Sequence, residues 1–159
     1  MKRLRYKNGP LDAIDIKLLK ALTNDARTSV TDLARLVQLS APSVSERIKR
    51  LEEAGVIVGY SVKINPEAFD LPLAVLLRIR PIPGEHNRVA KILKTIPNVV
   101  ECDRVTGEDC FVAKAHVPSV KALEELIDEI IPYAMTNTSI IQSSPVERRL
   151  PPFNQDVEP

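Results

Sequence analysis

Residues 28–58, with the sequence TSVTDLARLVQLSAPSVSERIKRLEEAGVIV, decide the fold of the first part of the chain. They predict two short helices joined by a tight turn. Ser29 with Asp32 three residues later has the spacing of a capping box at a helix start. An apolar stripe on this first helix is formed by Leu33, Leu36 and Val37. Ser40 then predicts the cap of the second helix, because a serine hydroxyl can accept from a free N–H of the first turn.

The second helix is amphipathic. Val44, Ile48 and Leu51 fall on one face at positions i, i+4 and i+7, and Gly55 provides a natural stop. The remaining sides carry six polar residues: Ser43, Ser45, Glu46, Arg47, Lys49 and Arg50. Such a pair of helices fits a helix-turn-helix whose second helix enters the major groove of double-stranded DNA. An ordinary helical hairpin with a solvated charged face has the same periodicity.

The six polar residues are chemically suited to DNA. Arginine donates bidentately to guanine, glutamate accepts from cytosine, and serine or lysine reaches phosphates. The alternative for Arg47 is an ion pair on the helix surface with Glu46 or Glu52. The charge distribution favours a polyanionic partner, since residues 1–60 hold eleven Lys/Arg and seven Asp/Glu, a net charge of +4. The rest of the chain carries a net charge of −3.

The flanking sequence predicts a complete small domain over residues 1–64. Asp12 caps a further helix that runs to about Asn24, and a basic arm precedes it. Residues 56–64 are β-rich with a central glycine and predict a two-stranded wing. Residues 65–72, which contain two prolines, predict a linker.

Alternating elements follow over residues 73–146, and a Pro-rich tail occupies 147–159. Their order is β-α-β-β-α-β, which predicts the ferredoxin-like plan, an antiparallel four-stranded sheet with both helices on one face. The fold class is therefore α+β, a winged helix-turn-helix followed by a ferredoxin-like domain. The strand at 73–80 is apolar on both faces, so a second subunit is the economical cover for the face without helices. We expect a homodimer.

Composition narrows the remaining possibilities. The chain has no run of about 18 apolar residues that could span a membrane, and its basic start lacks the apolar segment of a secretory signal. Cys102 and Cys110 form neither a disulfide framework nor a metal-ligand pattern, although a redox pairing across a hairpin is an alternative to simple burial. No catalytic motif, metal site or cofactor is predicted. We expect a cytoplasmic protein that is not an enzyme.

The order of residues in the second helix and its flanks resembles that of a known protein family. The pattern L-S-x-x-x-V-x-x-R-I-K-R-L-E-E-A-G-V-I, here Leu39 to Ile57, resembles the DNA-binding signature of the leucine-responsive/asparagine-responsive (Lrp/AsnC) family of transcription regulators. Leu11-Asp12 and Ile14-Asp15 resemble the family's first helix. The resemblance implies sheet-to-sheet dimers, possible assembly into octamers, and an amino-acid effector.

By analogy with the family, the effector would be enclosed by the hairpin around Gly107 and by the last strand of a neighbouring subunit. The residues implied are Thr106, Gly107, Asp109, Thr136 and Thr138. This sequence departs from the family pattern, because Cys110 occupies the usual aspartate position and the acid sits one residue earlier. A plain Gly-Glu-Asp hairpin turn is the alternative.

Two other functional classes remain open from the residues. A ferredoxin-like domain also occurs in metabolic proteins and stand-alone small-molecule binders, because fold does not determine function. A winged-helix domain can also act as a protein–protein adaptor. The adaptor would show no salt-dependent affinity for DNA.

Overall fold

The computed structural model describes residues 11–146. The basic arm predicted for residues 1–10 and the tail predicted for 147–159 lie outside the described residues. The chain divides into two compact units, with the division between Val62 and Lys63. The segment predicted as a linker contains a short 3-10 helix, Pro66–Phe69, which belongs to the second unit.

The first unit contains three helices, α1 (Ala13–Asn24), α2 (Val30–Val37) and α3 (Ala41–Glu53). Their predicted caps are confirmed, because the side chains of Asp12, Ser29 and Ser40 each accept a backbone N–H of the first turn. The helices share one small core, formed by Leu18, Leu33, Ala34, Val37 and Val44. One core prediction was wrong: Leu36 is 55% exposed. Helix α2 has only two turns and faces its neighbours through Leu33, Ala34 and Val37, and Leu36 lies beyond that arc.

The helix-turn-helix is confirmed, but the two strands predicted for the wing are not formed within the described residues. Residues 56–65 have no strand assignment. Val58, Tyr60 and Val62 are mostly exposed, at 93%, 52% and 83%. A β-rich sequence becomes a strand only when another strand accepts its backbone hydrogen bonds, and no described part of this unit provides one.

The second unit is the predicted ferredoxin-like domain. Its elements are β1 (Leu73–Pro81), α4 (His86–Thr95), β2 (Val99–Arg104), β3 (Phe111–Val117), α5 (Val120–Ile130) and β4 (Ala134–Ile140). The strands form one antiparallel sheet in the order β2-β3-β1-β4. Strands β2 and β4 are therefore the edges, and β1 lies between β3 and β4.

The two faces of this sheet differ. Val75, Leu77 and Ile79 of β1 are completely buried with the apolar sides of α4 and α5, as predicted. Val120 lies outside this core and is 54% exposed, because it is the first residue of α5. On the other face, Leu76 is 36% exposed, and Arg78 and Arg80 stand beside it. The prediction that β1 is apolar on both faces therefore holds only for its first half.

Candidate nucleic-acid interface and small-molecule site

The turn before α3 is set by two local features. Gln38 has a left-handed backbone conformation, with φ of 57°, which ends α2. Ser40 then caps α3, and its hydroxyl lies 2.8 Å from the hydroxyl of Ser43. One of the six predicted DNA-binding residues, Ser43, thus makes a hydrogen bond with the cap of its own helix. The turn and the cap together direct the start of α3 away from α2.

The outer face of α3 carries most of the predicted set. Ser43, Ser45, Glu46 and Lys49 are exposed. The Nζ of Lys49 is 3.8 Å from Oε1 of Glu53, in an ion pair of two largely exposed side chains. Such a pair is weak and leaves the lysine available to a stronger anion. Helix α3 therefore presents hydroxyl, carboxylate and ammonium groups to solvent.

Arg50 differs from its neighbours because it is half-buried. Its Nε is buried and has no hydrogen-bond partner in residues 11–146. A buried N–H without an acceptor costs free energy.

Unlike Lys49, Arg47 is not available to a DNA phosphate or base, because acids of its own chain already hold it. Its Nη1 donates to Oδ2 of Asp12 at 2.7 Å and to Oδ1 of Asp15 at 2.8 Å. The suggested pairing with Glu46 or Glu52 is not what the structure contains. Glu52 instead accepts from the hydroxyl of Tyr60 at 2.8 Å. Partial burial, and then this hydrogen bond to a carboxylate, raise the pKa of the Tyr60 phenol. The sequence alone did not identify Asp12 and Asp15 as the partners, because they are more than 30 residues away.

The pairing changes the titration of both partners. Partial burial alone would raise the pKa of Asp12, but hydrogen bonds from the Asp15 N–H and the Arg47 guanidinium outweigh it, and the pKa is lowered. The hydrogen bond to Asp12 and the bond to Asp15 outweigh the effect of burial on Arg47 and raise its pKa. Arg47 is thus held firmly in its charged form.

The second candidate site is the hairpin between β2 and β3. The N–H of Val105 donates to the carbonyl of Cys110 at 2.9 Å and closes the turn. Gly107 has φ of 114°, a conformation that side-chain-bearing residues rarely adopt, and its Cβ position faces open space. The turn is exposed, so its backbone groups are accessible to a ligand.

Two arginines of β1 hold the acids of this hairpin. Nη1 of Arg80 lies 3.4 Å from Oε2 of Glu108, and Nε of Arg78 lies 4.0 Å from Oδ2 of Asp109. Arg78 also donates to Oδ1 of Asn137 on β4 at 3.0 Å. The alternating arginines in the sequence of β1 are the signal that could have indicated these contacts, since alternate residues share a face.

One chain does not bring all five predicted effector residues together. Thr106, Gly107 and Asp109 lie in the hairpin between β2 and β3, whereas Thr136 and Thr138 lie on β4, and β1 lies between β3 and β4. Thr136 and Thr138 are opposite Ile79 and Leu77 and therefore face the helix side of the sheet. Thr138 Oγ1 is buried without a hydrogen-bond partner in the described part of the chain.

The two cysteines are free. Cys102 lies opposite Ala113 of β3. Cys110 precedes Ala113 by three residues, so at the spacing of a strand the two cysteines are about 10 Å apart. That separation is too long for a disulfide within one chain. Within residues 11–146, no group of three or more His, Cys, Asp or Glu side chains could hold a metal ion. None of the described helices is long and apolar enough to cross a membrane.

The fold and these two sites define a helix-turn-helix protein with a separate α+β domain, and comparison with known proteins gives its family. Residues 11–52 match the AsnC-type helix-turn-helix domain, and residues 74–151 match the Lrp/AsnC ligand binding domain. The chain belongs to the Lrp/AsnC family of transcription regulators.

Individual relatives agree with this assignment. The transcriptional regulator LrpC of Bacillus subtilis is 33% identical over 84% of this chain and 92% of its own length. The regulator LrpA of Mycobacterium tuberculosis is 38% identical over 77% of this chain and 83% of its own. The solved structure of B. subtilis LrpC has a TM-score of 0.82 at 31% identity, covering 88% of this chain and all of that one. A feast or famine regulatory protein of M. tuberculosis, solved with L-methionine, also has a TM-score of 0.82, at 35% identity over 89% of this chain and 98% of that one.

Proposed function

We propose that this regulator contacts double-stranded DNA through the outer face of α3, as a homo-oligomer whose binding is modulated by an amino acid or a related small metabolite. It acts in the cytoplasm and performs no catalysis. The observation that carries the proposal is the exposed polar face of α3, held by the cap at Ser40. The proposed contacts come from Ser43, Ser45, Glu46, Lys49 and Arg50. Arg47, the sixth residue of that set, is bound to Asp12 and Asp15 instead.

The roles of these residues follow from their chemistry. Arg50 is half-buried on this helix, and an arginine guanidinium can donate to a phosphate or bidentately to a guanine edge. Lys49 contributes a mobile positive charge to a phosphate. Glu46 fits an exposed cytosine amino group, whereas opposite a phosphate it would be repelled.

Two features support a dimer. The first is the face of the sheet that carries no helix, which includes the half-exposed Leu76. The second lies in the first unit, where Val58, Tyr60 and Val62 alternate along the chain and are exposed. Extended backbone with apolar residues at every second position is the pattern of a strand that lacks a partner. A second copy of the same chain would supply both partners. Dimers could then assemble further, up to an octamer.

The effector would bind between copies. The open backbone around Gly107 suits a carboxylate, and Asp109 suits an ammonium group, so an α-amino acid matches the two groups together. Thr136 and Thr138 of a neighbouring copy would complete the site. The relative solved with L-methionine supports this class of ligand. Asp109 is already paired with Arg78, so we expect the effector's ammonium to compete with that arginine.

The test is binding of the purified protein to DNA from directly upstream of its own coding sequence, titrated against salt, with and without a panel of amino acids. Steep salt dependence that changes with one amino acid supports both parts. Specific DNA binding that does not change with any amino acid of the panel would contradict the effector site. No specific binding would contradict the DNA interface and favour a small-molecule binder or an adaptor.

A further inference from the structure

Arg47 has the helical position of a core residue. Val44 and Leu51 are completely buried, and Arg47 follows Val44 at i+3 and precedes Leu51 at i+4. The three residues therefore lie on one side of α3. Ser43, Glu46 and Arg50 have the same spacing on the neighbouring, more exposed face. The side chain of Arg47 is 22% exposed, compared with 66% for Lys49.

The partners of Arg47 are themselves fixed. Asp12 and Asp15 form the capping box of α1, in which Oδ1 of Asp12 accepts from the Asp15 N–H at 2.8 Å and Oδ2 of Asp15 accepts from the Asp12 N–H at 3.3 Å. Each carboxylate thus uses one oxygen to cap α1 and the other to accept from Arg47. Because both acceptors are held by backbone groups, they define the position of the guanidinium.

Because Asp15 is buried, the stability of the fold depends on its contact with Arg47. The side chain of Asp15 is 3% exposed. A carboxylate that is removed from water needs a charged partner and full hydrogen bonding, and it is strongly destabilising when that partner is lost. Arg47 supplies the charge for two carboxylates through one nitrogen. Its loss would remove this hydrogen-bond donor from both acids.

We propose that Arg47 is a positioning residue, whose guanidinium fixes α3 to the start of α1 through Asp12 and Asp15 and which contacts neither a base nor a phosphate. The inference rests on the proposed role of α3 as the DNA-reading helix. It assigns the basic residues of that helix to two different tasks. Arg50 and Lys49 meet the DNA, and Arg47 sets the orientation in which they do so.

The experiment measures the affinity of the full chain for its upstream DNA as a function of salt. We expect Arg47→Gln to weaken binding about tenfold, the size of a typical coupling between contacting residues, with an unchanged salt slope. Lys49→Gln is the matched control on the same helix, and we expect its slope to fall by about 0.9 because one phosphate contact is lost. A slope that falls equally in Arg47→Gln would overturn the proposal.

A double-mutant cycle with Asp15→Asn supplies the second readout. We expect Asp15→Asn to weaken DNA binding as well, and Arg47→Gln to add little in that background, because both substitutions break one contact. Independent, additive losses, or no effect of Asp15→Asn, would contradict a positioning role. Arg47→Lys should recover part of the affinity, since lysine keeps the charge but lacks the fork of donors.

Two other causes of a negative result can be recognised: a variant that does not fold, and a helix α3 that does not bind DNA. Thermal unfolding of each variant reports folding. If Asp15→Asn unfolds, Asp12→Asn replaces it in the cycle, since Asp12 is 49% exposed and its loss is milder. If Arg47→Gln unfolds, Arg47→Lys replaces it. If Arg50→Gln and Lys49→Gln both leave affinity and slope unchanged, α3 is not the DNA-reading surface. If only Arg47→Gln lowers the slope, α3 reads DNA and Arg47 is one of the readers.

Discussion

The Nε2 atom of His86 lies 3.4 Å from the Sγ of Cys110. His86 is the first residue of α4, and Cys110 closes the hairpin that begins at Val105. The contact therefore ties the candidate effector hairpin to the helical layer of the domain. The side chain of Cys110 therefore has a partner within its own chain.

We expect Cys110→Ala to destabilise the second unit by about 1 kcal/mol, through loss of a hydrogen bond and of a partly buried side chain. Cys102→Ala is the control, because Cys102 is on the exposed edge strand and its substitution should stay within about 0.5 kcal/mol. Urea unfolding measures both. Equal effects of the two substitutions would show that the contact with His86 contributes nothing.

The thiol of Cys102 should be slow to react. Partial burial and the neighbouring Asp103 raise its pKa above the ordinary value, so less thiolate is present at any pH below that pKa. In a Cys110→Ala background, the rate of alkylation by iodoacetamide should rise with pH to a midpoint above that of a free cysteine peptide. A midpoint at or below the peptide's value would contradict this.

The ion pair of Asp12 predicts a dependence of stability on pH. Because the pKa of Asp12 is lowered in the folded state, its stabilisation is present above the unfolded value of about 3.9 and is lost as the pH falls through the folded value. Asp12→Asn should therefore be less stable than the natural chain near pH 7, and the difference should shrink on acidification. Melting temperatures at several pH values measure it, and a constant difference would exclude the linkage.

Gly107 and Gly84 form a matched pair for testing the hairpin. Both have left-handed backbone, with φ of 114° and 92°, and at both a Cβ would meet open space. Substitution by alanine should cost about 1 kcal/mol or more at each, from backbone strain alone. Only Gly107→Ala should weaken the response of DNA binding to an amino acid. Loss of the response in both variants would indicate a general effect of stability.

The open face of the sheet can be tested at Leu76. A glutamate there would place a charge in the middle of the proposed dimer interface, so Leu76→Glu should shift the chain towards monomer. Val120→Glu is the control, because Val120 is exposed at the start of a helix on the other face. Sedimentation equilibrium measures both. A dimer unchanged by Leu76→Glu would remove this face from the interface.

Local patterns in the sequence determined most of the fold. The caps at Asp12, Ser29 and Ser40, and the apolar periodicity of the helices, depend on residues within one or two turns, so they can be recognised without tertiary structure. The order of strands and helices in the second unit also follows from local pattern, as does the position of the hairpin at Gly107.

The tertiary structure decided what depends on distant parts of the chain. The ion pairs of Arg47 with Asp12 and Asp15 span more than 30 residues, so helical spacing places Arg47 beside the buried residues of α3 but does not identify its partners. The separation of Thr136 from Gly107 depends on which strands lie between them, and the missing wing depends on a partner strand. Helix caps and periodicity are short-range interactions, whereas charge pairing and strand pairing are made by whichever groups the folded chain brings together.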